Sequence, residues 1–71
     1  MPIEVEELNK RFTHHAPKGD QPQRYILICE EAKALAQTIV LNSQPSREQA
    51  LALTKLEECV MWVNAGIARN E

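Results

Sequence analysis

The stretch DQPQRYILICEEAKALAQTIVLNSQPS, residues 20–46, decides the fold. Within it Tyr25, Ile28, Ala32, Leu35 and Ile39 recur at steps of three, four, three and four, the spacing that lines one face of an α-helix. Asp20-Gln-Pro-Gln23 has capping-box form, with Pro22 in the first turn, where its missing N–H costs nothing. Asn42 is a suitable C-cap, and Ser43-Gln-Pro45 reads as a short turn. The spacing therefore predicts a helix over 21–41 and a turn over 42–45.

Beyond the turn, Ser46-Arg-Glu-Gln49 is a second capping box. It opens a helix over 46–69 that carries Leu53, Leu56, Val60, Val63 and Ile67 at the same steps. Two helices of about 20 residues, each roughly 30 Å long, joined by a short turn form an antiparallel hairpin. Pairing the seams about the turn sets Tyr25 near Ile67, Ile28 near Val63, Leu35 near Leu56 and Ile39 near Leu53. Before the hairpin, Val5, Leu8 and Phe12 mark an amphipathic arm over 3–12, with Glu4, Glu6 and Glu7 in its first turn. Residues 13–20, with Pro17, Gly19 and Asp20, read as an ordered loop. The expected fold is all-α: one domain over 1–71, a two-helix hairpin with a short N-terminal helical arm.

The hairpin seam leaves apolar residues over. Ile26, Leu27, Val40, Leu41, Met61 and Trp62 fall at positions pointing away from the hairpin partner. A monomer would expose them as a stripe, which soluble monomers rarely do, so a homo-oligomer is expected. Size argues the same way, because 71 residues make one small domain with a marginal core. Cys29 and Cys59 form no CxxC pair, and disulfide stapling is not expected in a reducing compartment. Both flank seam residues and are expected as small buried hydrophobes. No run approaches the roughly 18 apolar residues of a membrane span, and residues 1–20 lack a signal-peptide core, so a soluble intracellular protein is expected.

Charge is uneven. Residues 8–29 hold Lys10, Arg11, Lys18 and Arg24 against Asp20 alone, a local +3 on a chain of net charge −2, which leaves −5 elsewhere. Such a chain is a poor general binder of nucleic-acid polymers, and a local cationic patch suits a small anion better. Over 12–25, Phe12, His14, His15, Lys18, Arg24 and Tyr25 combine flat rings with cations. Rings stack on bases and cations neutralise phosphates, so this set describes a nucleotide site. Tyr25, on the seam, is better read as core. Gly66 near a helix end costs about 1 kcal/mol against Ala, which a close approach of another chain or a ligand would justify and a frayed helix end would tolerate. Arg69 beyond it could cap the last carbonyls or reach an anion.

Catalysis finds little footing. His14 and His15 are adjacent, neither Cys belongs to a ligand-spaced pair, and no cofactor or metal is expected. Glu30-Glu31 and Glu57-Glu58 read as solvated helix faces, with Glu30 and Lys33 spaced for a surface ion pair. With only Gly19 and Gly66, there is no glycine-rich phosphate loop.

Arg11-Phe-Thr-His-His-Ala-Pro-Lys18, Asp20-Gln21, Arg24-Tyr25, Leu51-Ala-Leu-Thr-Lys-Leu-Glu-Glu58, Val60-Met-Trp62 and Asn64-Ala-Gly-Ile-Ala-Arg69 together resemble the phage anti-CBASS protein two family. That family shares its helical-hairpin domain with Thoeris anti-defence proteins. The resemblance covers nearly the whole chain and implies a sponge acting in the bacterial cytoplasm during infection. A sponge sequesters the cyclic oligonucleotide signals of bacterial immunity without cleaving them. It also implies hexamers, with pockets for cyclic dinucleotides and cyclic trinucleotides between protomers; some relatives bind cyclic ADP-ribose isomers. Phe12 and His14 would stack on bases, with His15 beside them, while Lys18, Arg24 and Arg69 would neutralise phosphates. Two positions depart from the family pattern: His14 stands where a Tyr stacks, and Cys29 where a basic residue contacts phosphate. The competing expectations are a helical module that docks a host protein through the apolar stripe, a sponge for cyclic ADP-ribose signals, and a hydrolase of the cyclic oligonucleotide signals, for which no base, metal cluster or nucleophile pair can be named.

Overall fold

Gly19 sets where the long helix begins. Its φ of +59° lies in the left-handed region that glycine enters without steric cost. The turn is closed from both sides: Gln21 N–H donates to the Lys18 carbonyl at 3.0 Å, and Lys18 N–H donates to Gln21 Oε1 at 3.2 Å. The computed structural model describes residues 2–71, and among these it contains three α-helices and no strand. They are α1 (Val5–Phe12), α2 (Gln21–Asn42) and α3 (Arg47–Asn70). The arm is two residues shorter than the spacing suggests, because its first backbone bonds start at the Glu4 carbonyl, which accepts from Glu7 and Leu8.

The two expected capping boxes turn out differently. Asp20 makes no side-chain cap bond, since its φ of −89° and ψ of 7° depart from the extended backbone an N-cap needs. Its carboxylate pairs with Arg24 instead. Ser46 is extended, and its Oγ accepts from Gln49 N–H at 3.0 Å. The reciprocal half is redirected: Gln49 Nε2 reaches back past Ser46 to donate to Ser43 Oγ at 2.9 Å and to the Ser43 carbonyl at 3.3 Å. Ser43, not Asn42, is the C-cap of α2, while Asn42 stays helical and donates from Nδ2 to the Thr38 carbonyl at 2.8 Å. Ser46→Ala should cost about 1 kcal/mol. Chemical denaturation measures this, and a loss of under about 0.3 kcal/mol would show that Gln49 alone holds the turn.

The helices α2 and α3 pack against each other as the hairpin. The packing concentrates at the open end, where Gln21 Nε2 donates to the Ile67 carbonyl at 3.5 Å. Ile67 (7% exposed) and Gln21 (4%) are the buried residues of the described chain. Tyr25, Ile28, Ala32, Ile39, Leu53, Leu56 and Val60 are half-buried along the seam. Leu35 and Val63, expected in the seam, are exposed. So are Cys29 and Cys59, both free thiols, which corrects the expectation that they are buried. One cause accounts for all four: a two-helix layer covers one narrow stripe, and residues on its flanks need a further layer.

That further layer is missing from the chain itself. The molecule measures 45 × 34 × 13 Å, one helix thick, with a radius of gyration of 15.6 Å against about 11 Å for a globular chain of this length. Its 5,889 Å² of accessible surface exceeds the roughly 4,500 Å² expected of a folded monomer of this mass. All six residues of the outward stripe are exposed, Trp62 at 67% and Leu41 at 82%. The face of α1 formed by Val5, Leu8 and Phe12 is open as well. No helix is long and apolar enough to cross a membrane among the described residues.

Candidate functional site

The arm comes back to the far end of α3. In α1, Glu7 and Arg11 are one turn apart, and Arg11 Nε donates to Glu7 Oε1 at 3.0 Å. In α3, Trp62 and Arg69 are seven residues and two turns apart, on one face. These four and Phe12 line an open cleft of about 390 Å³. Small-molecule sites run from about 300 to 1,000 Å³, so the cleft has room for a ligand of nucleotide size. Phe12, 83% exposed, and Trp62 offer two ring surfaces, while Arg69 supplies positive charge and Arg11 is paired with Glu7. Among the described residues only one carboxylate, that of Glu7, lines it.

The six residues picked out in the sequence are distributed unequally. Phe12 and Arg69 meet in the cleft. His15 is half-buried and turned back on the arm, its Nε2 3.0 Å from the Lys10 carbonyl, so that nitrogen carries the proton and donates. This contact pins the start of the loop to the end of α1. His14 is exposed, and Lys18 is exposed with only its backbone engaged in the Gly19 turn.

Arg24 is held rather than free. Its Nη2 lies 2.8 Å from Glu71 Oε1 and its Nε 3.3 Å from Asp20 Oδ1. The contact with Glu71 is the main cause raising this guanidinium above its ordinary value, with Asp20 adding to it against partial desolvation. Two carboxylates thus neutralise the cation that α2 contributes to the basic stretch. The Nε–H itself is shielded from water and lacks a well-aligned acceptor, and Asn64 Oδ1 on α3 is shielded without a donor. Glu30 and Lys33 do not pair; the remaining ion pair among the described residues joins Lys55 and Glu58 at 3.4 Å.

A second groove, also about 390 Å³, runs along the hairpin face between α2 and α3. Cys29, Ala32, Ala36, Leu56, Val60 and Met61 form most of its wall. Lys33 edges it one turn beyond Cys29. Gly66 has nothing within 4 Å of where a Cβ would stand, so nothing in this chain's own packing requires a glycine there. No group of three or more His, Cys, Asp or Glu side chains is gathered for a metal among the described residues.

Glu7, Arg11 and Trp62 are the cleft residues that the sequence did not single out as a site. Each pairing has a local signal, four apart in α1 and seven apart in α3. The approach of α1 to α3 has none, since the loop over 13–20 determines it.

Compared with known families, residues 4–68 match the family model described as Acb2/Tad1, hairpin domain. No curated protein and no solved structure matches the chain.

Proposed function

The chain belongs to the Acb2/Tad1 hairpin-domain family, and from that premise we propose that it is a non-catalytic sponge for cyclic oligonucleotide second messengers. It would bind cyclic dinucleotides, cyclic trinucleotides or both, and so let a phage evade CBASS-type defence. The observation that carries this reading is the cleft in which Phe12 and Trp62 present rings beside Arg11 and Arg69. Stacking on aromatic faces is worth about 1–3 kcal/mol per base, and cations complement the phosphates. Sequestration needs nothing more than affinity, which stacking and charge supply. His14, His15 and Lys18 lie on the loop between α1 and α2, outside the residues that line the cleft, and Arg24 would add its charge only if released from Glu71.

We assign the missing layer to further copies of the chain. A hexamer would cover the apolar groove and the outward stripe apart from Trp62, whose ring stays with the cleft, and it would set copies of each basic stretch opposite one another. The same groove supports a second reading, a module that docks another protein. Light scattering separates the two, because a stable monomer excludes self-assembly as the cover for that face.

The sponge is tested by depletion and return. Purified protein is incubated with cyclic dinucleotides, cyclic trinucleotides and cyclic ADP-ribose isomers, passed through a size filter, then digested with protease. The expected result is a ligand that leaves the filtrate and comes back chemically intact. A ligand that returns altered makes the protein an enzyme, and a panel that is never depleted leaves the docking module as the better reading.

A further inference from the structure

The geometry points to a guanine-selective cleft, in which the Glu7 carboxylate, oriented by Arg11, reads the base that Phe12 and Trp62 stack. This rests on the nucleotide reading above for the class of ligand, but on neither its cyclic form nor the assembly. Two rings accept any base, because every base has a π-face. Arg69, which forms no ion pair among the described residues, neutralises phosphate whichever base is attached, while Arg11 is engaged with Glu7. Discrimination therefore falls to Glu7, whose carboxylate is the one side-chain group lining the cleft that only accepts hydrogen bonds.

Arg11 Nε occupies one lone pair of Oε1 at 3.0 Å and fixes the carboxylate in place. A carboxylate has about four lone-pair sites, so Oε2 and the rest of Oε1 remain open to a ligand. Guanine alone among the four RNA bases carries two adjacent donors on its Watson–Crick edge, N1–H and the N2 amino group. Both can point at one carboxylate in parallel, as charge-assisted bonds. Adenine offers its N6 amino group next to the N1 lone pair, which repels the second oxygen, and cytosine repeats that arrangement. Uracil places its single N3–H between two carbonyls. The ordinary role of such a pair, an exposed helix ion pair worth a few tenths of a kcal/mol, would affect stability without touching base preference. That difference is what an experiment can read.

Trp62 is the only tryptophan of the chain, so its emission reports on the cleft directly. The protein of residues 1–71 is titrated with guanosine, adenosine and uridine 5′-monophosphates. The guanine nucleotide is expected to perturb Trp62 at concentrations about tenfold or more below the others, the discrimination of one good bidentate pair. In Glu7→Gln, whose amide replaces one acceptor by a donor, that preference should shrink to about twofold or less. Glu7→Asp keeps the carboxylate and should restore part of the preference. Far-UV circular dichroism confirms that both variants stay helical. Equal responses to all three nucleotides, an undiminished preference in Glu7→Gln, or a silent Trp62 would each overturn the assignment. A silent Trp62 alongside successful depletion of a cyclic ligand overturns this inference alone and places the sponge site elsewhere. A guanine preference without retention of any cyclic ligand overturns the sponge and leaves the cleft standing.

Discussion

Replacing Arg69 by alanine is expected to weaken the retained cyclic ligand by about 1.5–3 kcal/mol, roughly ten- to more than a hundredfold in Kd. The reasoning starts from where Arg69 stands. It is half-buried on α3, shares a cleft with Phe12 and Trp62, and forms no ion pair among the described residues. Such a guanidinium can donate in parallel to two phosphate oxygens with no internal carboxylate to displace. Arg24 differs, because Glu71 and Asp20 already hold it, and any anion must first compete with them. Arg24→Ala should therefore cost less affinity than Arg69→Ala, although both remove one positive charge. Calorimetric titration of the two variants with whichever ligand the depletion assay returns measures the difference. Equal affinity in Arg69→Ala and the parent would remove Arg69 from the site, and a larger loss in Arg24→Ala would reverse the order argued here. Arg69→Lys should recover part of the loss, since a point charge survives but the planar fork does not.

Ile67→Ala is expected to produce the largest loss of stability. Ile67 is the buried apolar side chain of the described chain, and its carbonyl accepts from both Gln21 Nε2 and Glu71 N–H. Truncating a buried isoleucine costs about 2–5 kcal/mol. A chain of 71 residues has a total stability on the order of 4–11 kcal/mol. The substitution thus removes a large share of it, and the melting temperature should fall by at least about 10 °C. The proposed assembly would add a second signature: a folded state stabilised by association melts higher as protein concentration rises. Calorimetric melts at two concentrations check both. A melting temperature within about 3 °C of the parent would show that the open end of the hairpin is not where stability is concentrated. In that case the proposed assembly over the exposed stripe would have to carry it instead.

Much of the fold was legible because helical periodicity is a local property. The three-four steps from Tyr25 to Ile39 and from Leu53 to Ile67, with Gly19, Pro22 and Ser46 as punctuation, are written in neighbouring residues. They decide the helices, the turn and the sharing of a face. The outward stripe was legible for the same reason, and its exposure follows. Burial of the flanks was not legible. Cys29, Cys59, Leu35 and Val63 sit at the edge of the seam, and whether an edge is covered depends on a second layer that this chain does not provide.

The candidate site divides along the same line. Phe12 and Arg69 could be chosen from the sequence as a ring and a cation, each on its own helix. Their meeting, with Trp62 between them in sequence and Glu7 and Arg11 on the facing helix, spans more than fifty positions. Nothing local encodes it: the Gly19 turn and the contact between His15 and the Lys10 carbonyl decide how the chain leaves α1. The neutralisation of Arg24 by Glu71 is of the same kind, since charges 47 positions apart interact only after the hairpin closes. The sequence by itself determined which face each helix turns to a partner, because side-chain direction repeats with the helical period. Only the tertiary structure decided what stands opposite that face, because the loop and the open end of the hairpin set it through contacts between residues far apart in the chain.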